Sequence, residues 1–314
     1  MIMKMYRILI SILVVGFAFN ICSCGLMSND NTPHLEEKYI VDFGEDTLES
    51  VIPYKFGVIV ALDSGELSAI DETGSVMASV EVTEQITHLY SSNDGKILIA
   101  FDDKVTEYSV EDGVFVEQTS VDFDSHIQNM TSMGSDDVNL VLLDNGQVYG
   151  YGRNFRRMLD DRKGEEAFIS EPVLMAENIR DIASRFLVND DNCVVDILNN
   201  EISDPCDEEI LGIELSGSPI VYTKDSIYEY IFTNNTFSKV NTIDPECFWC
   251  AESGYMYRLN GEYFYTGFLS ATPRGKGLPE ADNSLVEIPA DMSYCVINEG
   301  IVCYDSHSLT CYSV

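Results

Sequence analysis

Val138-Asn139-Leu140-Val141-Leu142-Leu143-Asp144-Asn145-Gly146-Gln147-Val148-Tyr149-Gly150-Tyr151-Gly152 is the stretch whose reading decides the fold. Leu140 to Leu143 is an apolar run of strand length, and Asp144-Asn145-Gly146 supplies residues that tolerate a left-handed turn. Gln147 to Tyr151 then alternates back as a second strand. A lone hairpin is marginal in water, so this one must stack on others.

The same device recurs. Apolar strand starts followed by turn residues fall near Gly57, Lys96, Asn139, Phe186, Ile220, Tyr255 and Ile301. That spacing, about 40 residues, is the period of propeller blades. Val, Ile, Tyr, Phe and Thr dominate the apolar runs and helical periodicity is weak, which predicts an all-β assembly. Residues 38–314 are therefore expected to form a seven-bladed β-propeller of mainly four-stranded antiparallel blades. The last unit ends at Val314 with too few strands, whereas Lys38 to Phe43 alternates like a strand and Leu48 to Tyr54 is another candidate. Pairing these with the C-terminal blade would close the ring and remove both sheet edges.

Two resemblances accompany the pattern. Gly57 to Met77, with turns at Asp63-Ser64-Gly65 and Asp71-Glu72-Thr73-Gly74, resembles the repeat of quinoprotein-type (PQQ-like) propellers. Leu143 to Asn154 resembles the regulator of chromosome condensation repeat, with further matches at Leu159, Pro172, Ile179 and Ile182. Arg157, Met158 and Asp160 depart from its Gly-Gln-x-Gly closing motif. The likeness implies a seven-bladed propeller and imports no nucleotide exchange or chromatin binding.

The N-terminus reads as an export signal. Lys4 and Arg7 precede the uncharged apolar run Ile8 to Phe19, which is too short to span a bilayer as a helix. Ile21-Cys22-Ser23-Cys24-Gly25 resembles the bacterial lipobox, which implies cleavage before Cys24 and its acylation. Residues 1–23 are then a signal peptide and 24–37 a lipidated flexible tether, and the protein is expected extracytoplasmic on a bacterial membrane.

Composition narrows the chemistry. With 53 acidic against 18 basic residues the formal charge is −35, which argues against a nucleic-acid partner, whose phosphates call for Lys and Arg. The four histidines are scattered, no nucleophile elbow or zinc-protease motif occurs, and abundant carboxylates make any acid/base pair an accident of composition. No enzyme activity, cofactor or metal is expected. Cys247-Phe248-Trp249-Cys250 reads as buried strand, with its cysteines on opposite sides or the segment bent. Cys303 and Cys311, on neighbouring arms of the last hairpin, are the best candidate disulfide among seven cysteines beyond Cys24.

One anomaly remains. Arg153, Arg156, Arg157, Arg162 and Lys163 fall within one short segment of an otherwise acidic chain. Either the loop is solvated and paired to Asp160, Asp161, Glu165 and Glu166, or it contacts an acidic partner. The expected function is a binding or scaffolding module at the cell envelope, its partner an unknown protein or a polyanionic envelope component. The alternatives are an envelope-assembly lipoprotein, a secreted enzyme inhibitor such as some propellers with the chromosome-condensation-type repeat, and an enzyme using the central funnel.

Overall fold

Each apolar run read from the sequence is the second strand of a four-stranded antiparallel blade, and the described residues form seven such blades. The computed structural model describes residues 35–313 except 56, 93–94, 134–137, 217, 232, 242–246, 252, 270–277, 290–291 and 299. Blades 1 to 6 span residues 48–81, 88–122, 127–176, 179–202, 212–241 and 247–286 in simple up-and-down order. Blade 7 takes three strands from residues 293–313 and its outermost strand, Glu36–Asp42, from the other end of the chain. The register of that closure runs from Glu36 opposite Ser313 to Asp42 opposite Ser308.

The expected ring closure is thus correct for the first of its two strands. Leu48–Tyr54 does not join blade 7. It is the innermost strand of blade 1, paired with Gly57–Leu62. The same holds in every blade: an innermost strand precedes the apolar run that marks the unit in the sequence. These strands are His88–Ser91, Ile127–Met133, Ile179–Ala183, Gly212–Ser216, Cys247–Ala251 and Ser293–Ile297.

Second strands such as Gly57–Leu62 and Val138–Leu143 are buried at every position. A strand covered on both faces reads as a continuous apolar run rather than an alternation. The cover is the neighbouring blade, because the buried side chains fall into seven clusters, one in each gap between adjacent blades. The cluster between blades 7 and 1 joins Cys295, Ile297, Val302, Leu309 and Cys311 to Leu48, Val51, Val58, Val60, Leu62 and Ile70. Tyr39 and Val41 of the closing strand pack against it. Backbone fit is tight at Gly57, where a Cβ would lie 1.9 Å from the Ile70 carbonyl oxygen, and equally at Gly300 against Tyr312.

Two faces follow from this topology. The turns joining second to third strands, and the links between blades, lie on one face. Blade-to-blade backbone bonds hold that face together: Leu48 N–H to Ser306 O (2.8 Å), Ile127 N–H to Asp102 O (2.9 Å) and Ile179 N–H to Gly146 O (3.0 Å). The turns joining first to second and third to fourth strands lie on the other face.

Deleting residues through 43 strips Tyr39 and Val41 from the blade 7/1 core and exposes the edge of Ser308–Ser313. Half-buried side chains of this size stabilise by a few kcal/mol together, so the melting temperature should fall by roughly 6–10 °C and aggregation should rise. Deleting only residues 25–33 should leave the melt within about 2 °C. Equal melts would contradict the closure.

Candidate functional site

The link between the third and fourth strands of blade 3, from Val148–Arg153 to Phe168–Ala176, carries four basic residues of the cluster read from the sequence, and Arg153 ends the strand before it. It is wound round one side chain. Asn154 has no solvent exposure. Its Nδ2 donates to the carbonyls of Asp160 (2.7 Å), Gly164 (3.3 Å) and Lys163 (3.4 Å). Its Oδ1 accepts from the backbone N–H of Leu159 and of Asp160, both at 3.0 Å. A buried amide so fully used fixes the path of the loop. Leu159 is buried beside Gly150, where a Cβ would come within 2.9 Å of its Cδ2. A 3-10 turn, Phe155–Arg157, follows Asn154, with Arg156 (φ 49°) and Arg157 (φ 61°) both left-handed.

Three of the five cations are matched within the loop. Arg153 Nη2 lies 2.7 Å from both carboxylate oxygens of Glu166. Asp160 accepts from Arg162 Nε at 3.1 Å and lies 3.8 Å from Lys163 Nζ. The Arg162 hydrogen bond is the main reason the Asp160 carboxyl is held below its usual range. Arg156 lies over the Phe155 ring at 5.4 Å. Arg156 and Arg157 are exposed and make no ion pair among the described residues. Arg153, Arg162 and Lys163 thus balance local acids, and Arg156 with Arg157 remain as the candidate contact.

The proposed Cys303–Cys311 bridge is corrected by the register. Cys303 pairs with Thr310, and Cys311 with Val302, so the two cysteines are one residue out of step and point to opposite faces. Cys303 lies in the blade 6/7 core and Cys311 in the blade 7/1 core, and neither is in a disulfide. Burial pushes the Cys303 thiol up to about 12, as fits an unreactive core residue. Cys247–Ala251 is an extended strand with Cys247 opposite Arg258 and Cys250 opposite Tyr255. Cys24 lies outside the described residues. Among the described histidines, His126 pairs with Asp102 on the linking-turn face, and His88 is held low by burial.

Sequence reasoning missed the axis of the ring. The innermost strands lie side by side around it in the order of blades 7, 1, 2, 3, 4, 5 and 6. Polar stitches join them: Ser91 Oγ donates to Pro53 O, and Ser184 N–H to Thr131 Oγ1 at 3.1 Å. Asp181 is the hub. Its carboxylate accepts from Asn129 Nδ2 (2.9 Å) on blade 3, and from the N–H of Ile182 (2.8 Å) and of Ile213 (3.0 Å) on blades 4 and 5. Glu214, next along the innermost strand of blade 5, is reached by water yet has protein around it. Desolvation, and then the Asp181 charge, push its carboxyl up to about 7. Nothing marks either carboxylate among 53 acidic residues in the sequence.

Among the described residues, two grooves open on the linking-turn face. One, of about 520 Å³ between blades 1 and 2, is lined by Glu49, Asp63, Glu81 and Glu84 with Leu62 and Ile86. The other, of about 440 Å³ between blades 3 and 4, is lined by Gln128, Asp144, Asn145 and Arg180 among others.

No known protein family and no curated protein matches the chain. Solved structures do. The Cps50 (Swd1) β-propeller domain of Myceliophteria thermophila is similar over 90% of this chain and 100% of its own, with a TM-score of 0.62 at 11% identity. BamB from Moraxella catarrhalis covers the same shares with a TM-score of 0.53 at 9% identity. At such identities the likeness is one of fold.

Two outcomes test this description. Asn154→Ala leaves several loop carbonyls and amides unpaired, so it should cost about 2–3 kcal/mol and raise protease cutting between residues 155 and 167. A folded carboxyl titrating above its free value binds extra protons in the native state, so Glu214 lowers stability as pH rises from about 4.5 through about 7. Discounting for the water that reaches it, Glu214→Gln should raise stability by about 1 kcal/mol at pH 8 and by nearly nothing at pH 4. A melt difference independent of pH would contradict the placement of Glu214.

Proposed function

We propose that this protein is a lipid-anchored, extracytoplasmic β-propeller that binds or scaffolds other proteins at the cell envelope. The observation that carries the reading is the division of labour in the ring. Paired, buried backbone fills the blades, and the irregular backbone is gathered on two broad faces with preformed grooves between blades. Such a surface is organised before any partner arrives, which lowers the ordering cost of association.

The address comes from the N-terminus: the apolar run Ile8 to Phe19 and the lipobox-like Ile21 to Cys24 support export and acylation. Several acyl chains, at about 0.8 kcal/mol per buried methylene, would hold the domain at a membrane surface. The grooved face, rich in Asp and Glu, suits a partner with basic residues at its contact. Cross-linking in intact cells followed by capture of the tagged protein would show that partner.

Cys24→Ser tests the address. It should abolish fatty-acid labelling and move the protein out of the membrane fraction, whereas Cys22→Ser should change neither. Labelled, membrane-bound Cys24→Ser protein would contradict the assignment, and an unlabelled soluble wild type would favour the secreted-inhibitor alternative.

A further inference from the structure

The direction of the closing strand says which face the tether reaches. Glu36 lies opposite Ser313, the end of the third strand of blade 7, and Asp42 lies opposite Ser308 beside the linking turn at residues 305–307. The chain therefore enters the ring at the face that carries the turns between third and fourth strands. The Asn154-anchored loop is one of those turns. Tether and arginine pair share a face.

Eleven residues, or twelve Cα-to-Cα steps, separate Cys24 from Glu36. A flexible chain of that length has an end-to-end distance of about 20 Å, and about 43 Å when fully stretched. Presenting the grooved face to the membrane would require the tether to run back along the outside of the closing strand, about 23 Å further, before reaching the surface. The relaxed tether favours the other orientation.

We infer that the face bearing the Asn154 loop lies against the membrane, with Arg156 and Arg157 on the phosphates of lipid headgroups. This rests on the lipid anchoring proposed above. Three observations support the choice of ligand. Arg156 and Arg157 are the two cations of the loop left without an acidic partner among the described residues, while Asp160 and Glu166 pair with the other three. Both stand at left-handed backbone positions, held there by a loop that a buried amide fixes, and strain of that kind persists where it serves a contact. Phe168, at the end of the same loop and opposite Arg153, is 52% exposed, an aromatic ring suited to the headgroup boundary.

Asp71, Glu72, Glu111 and Asp112 lie in turns of the same face, so the attraction is local rather than that of a basic surface. An untethered chain of this net charge would hardly collect on an anionic bilayer. Once acylation makes the contact intramolecular, a weak pair of arginine–phosphate bonds is enough to set orientation. The grooved face is then turned outward to partners.

The test uses the full acylated protein in vesicles of phosphatidylcholine with about one third phosphatidylglycerol, carrying a photocrosslinking phenylalanine analogue at Phe168 or at Ser64 on the opposite face. Lipid adducts should form at least fivefold more at 168 than at 64. Arg156→Asn with Arg157→Asn, chosen because Asn tolerates a left-handed backbone, should reduce the yield at 168 at least threefold, and Arg156→Lys with Arg157→Lys should restore most of it. Equal yields on the two faces, or a yield at 168 unmoved by the Asn pair in a protein with unchanged melting, would overturn the orientation. Fatty-acid labelling of the same samples separates the two readings: labelled protein with equal yields refutes only the orientation, and unlabelled protein refutes the anchor.

Discussion

Everything in this structure depends on a sheet that is apolar on both sides. Val58, Ile59, Val60 and Ala61 follow one another with no exposure at all, so their blade needs a cover on each face. One neighbour covers Val58 and Val60, and the other covers Ile59 and Ala61. No open row of blades satisfies this, since its two end sheets would each leave a face bare. The ring is the solution that leaves no terminal blade, and the loan of Glu36–Asp42 to blade 7 completes it. Stability is then shared among seven modest cores rather than one large one, and losing one seam opens the ring.

That constraint also explains what could be read in advance. Second strands, buried on both faces, appear as unbroken apolar runs ending in Asp, Asn or Gly turns, so Gly57, Lys96 and Val138 announce their blades. Innermost strands border the axis and carry Gln128, Asn129, Arg180, Asp181 and Glu214 among apolar residues, so neither period 2 nor a continuous run survives. Leu48–Tyr54 likewise shows neither pattern, so the sequence alone does not distinguish a strand of the closing blade from the innermost strand of blade 1. The Cys303–Cys311 pairing failed on a single step of register, which decides the face of a strand residue and is invisible in spacing alone.

The blade 3 loop was legible as an anomaly of charge, and its architecture was not. The amide of Asn154 supplies the bonds that shape the loop. The acids interleaved with the arginines divide the cluster: Asp160 and Glu166 take three cations, and Arg156 and Arg157 remain. A patch of five charges in the sequence thus becomes a pair of guanidinium groups on a loop of fixed path, on the face where the closing strand begins.

Amide hydrogen exchange of the intact protein tests the central claim, that the ring is closed by its N-terminal strand. Closure makes Ser308–Ser313 an interior strand, flanked by Gly300–Tyr304 and Glu36–Asp42, so its amides should open only with the whole domain, as slowly as those of Val138–Leu143. Exchange of Ser308–Ser313 on the fast timescale of an exposed edge, with Val138–Leu143 still protected, would show that blade 7 stands without its borrowed strand.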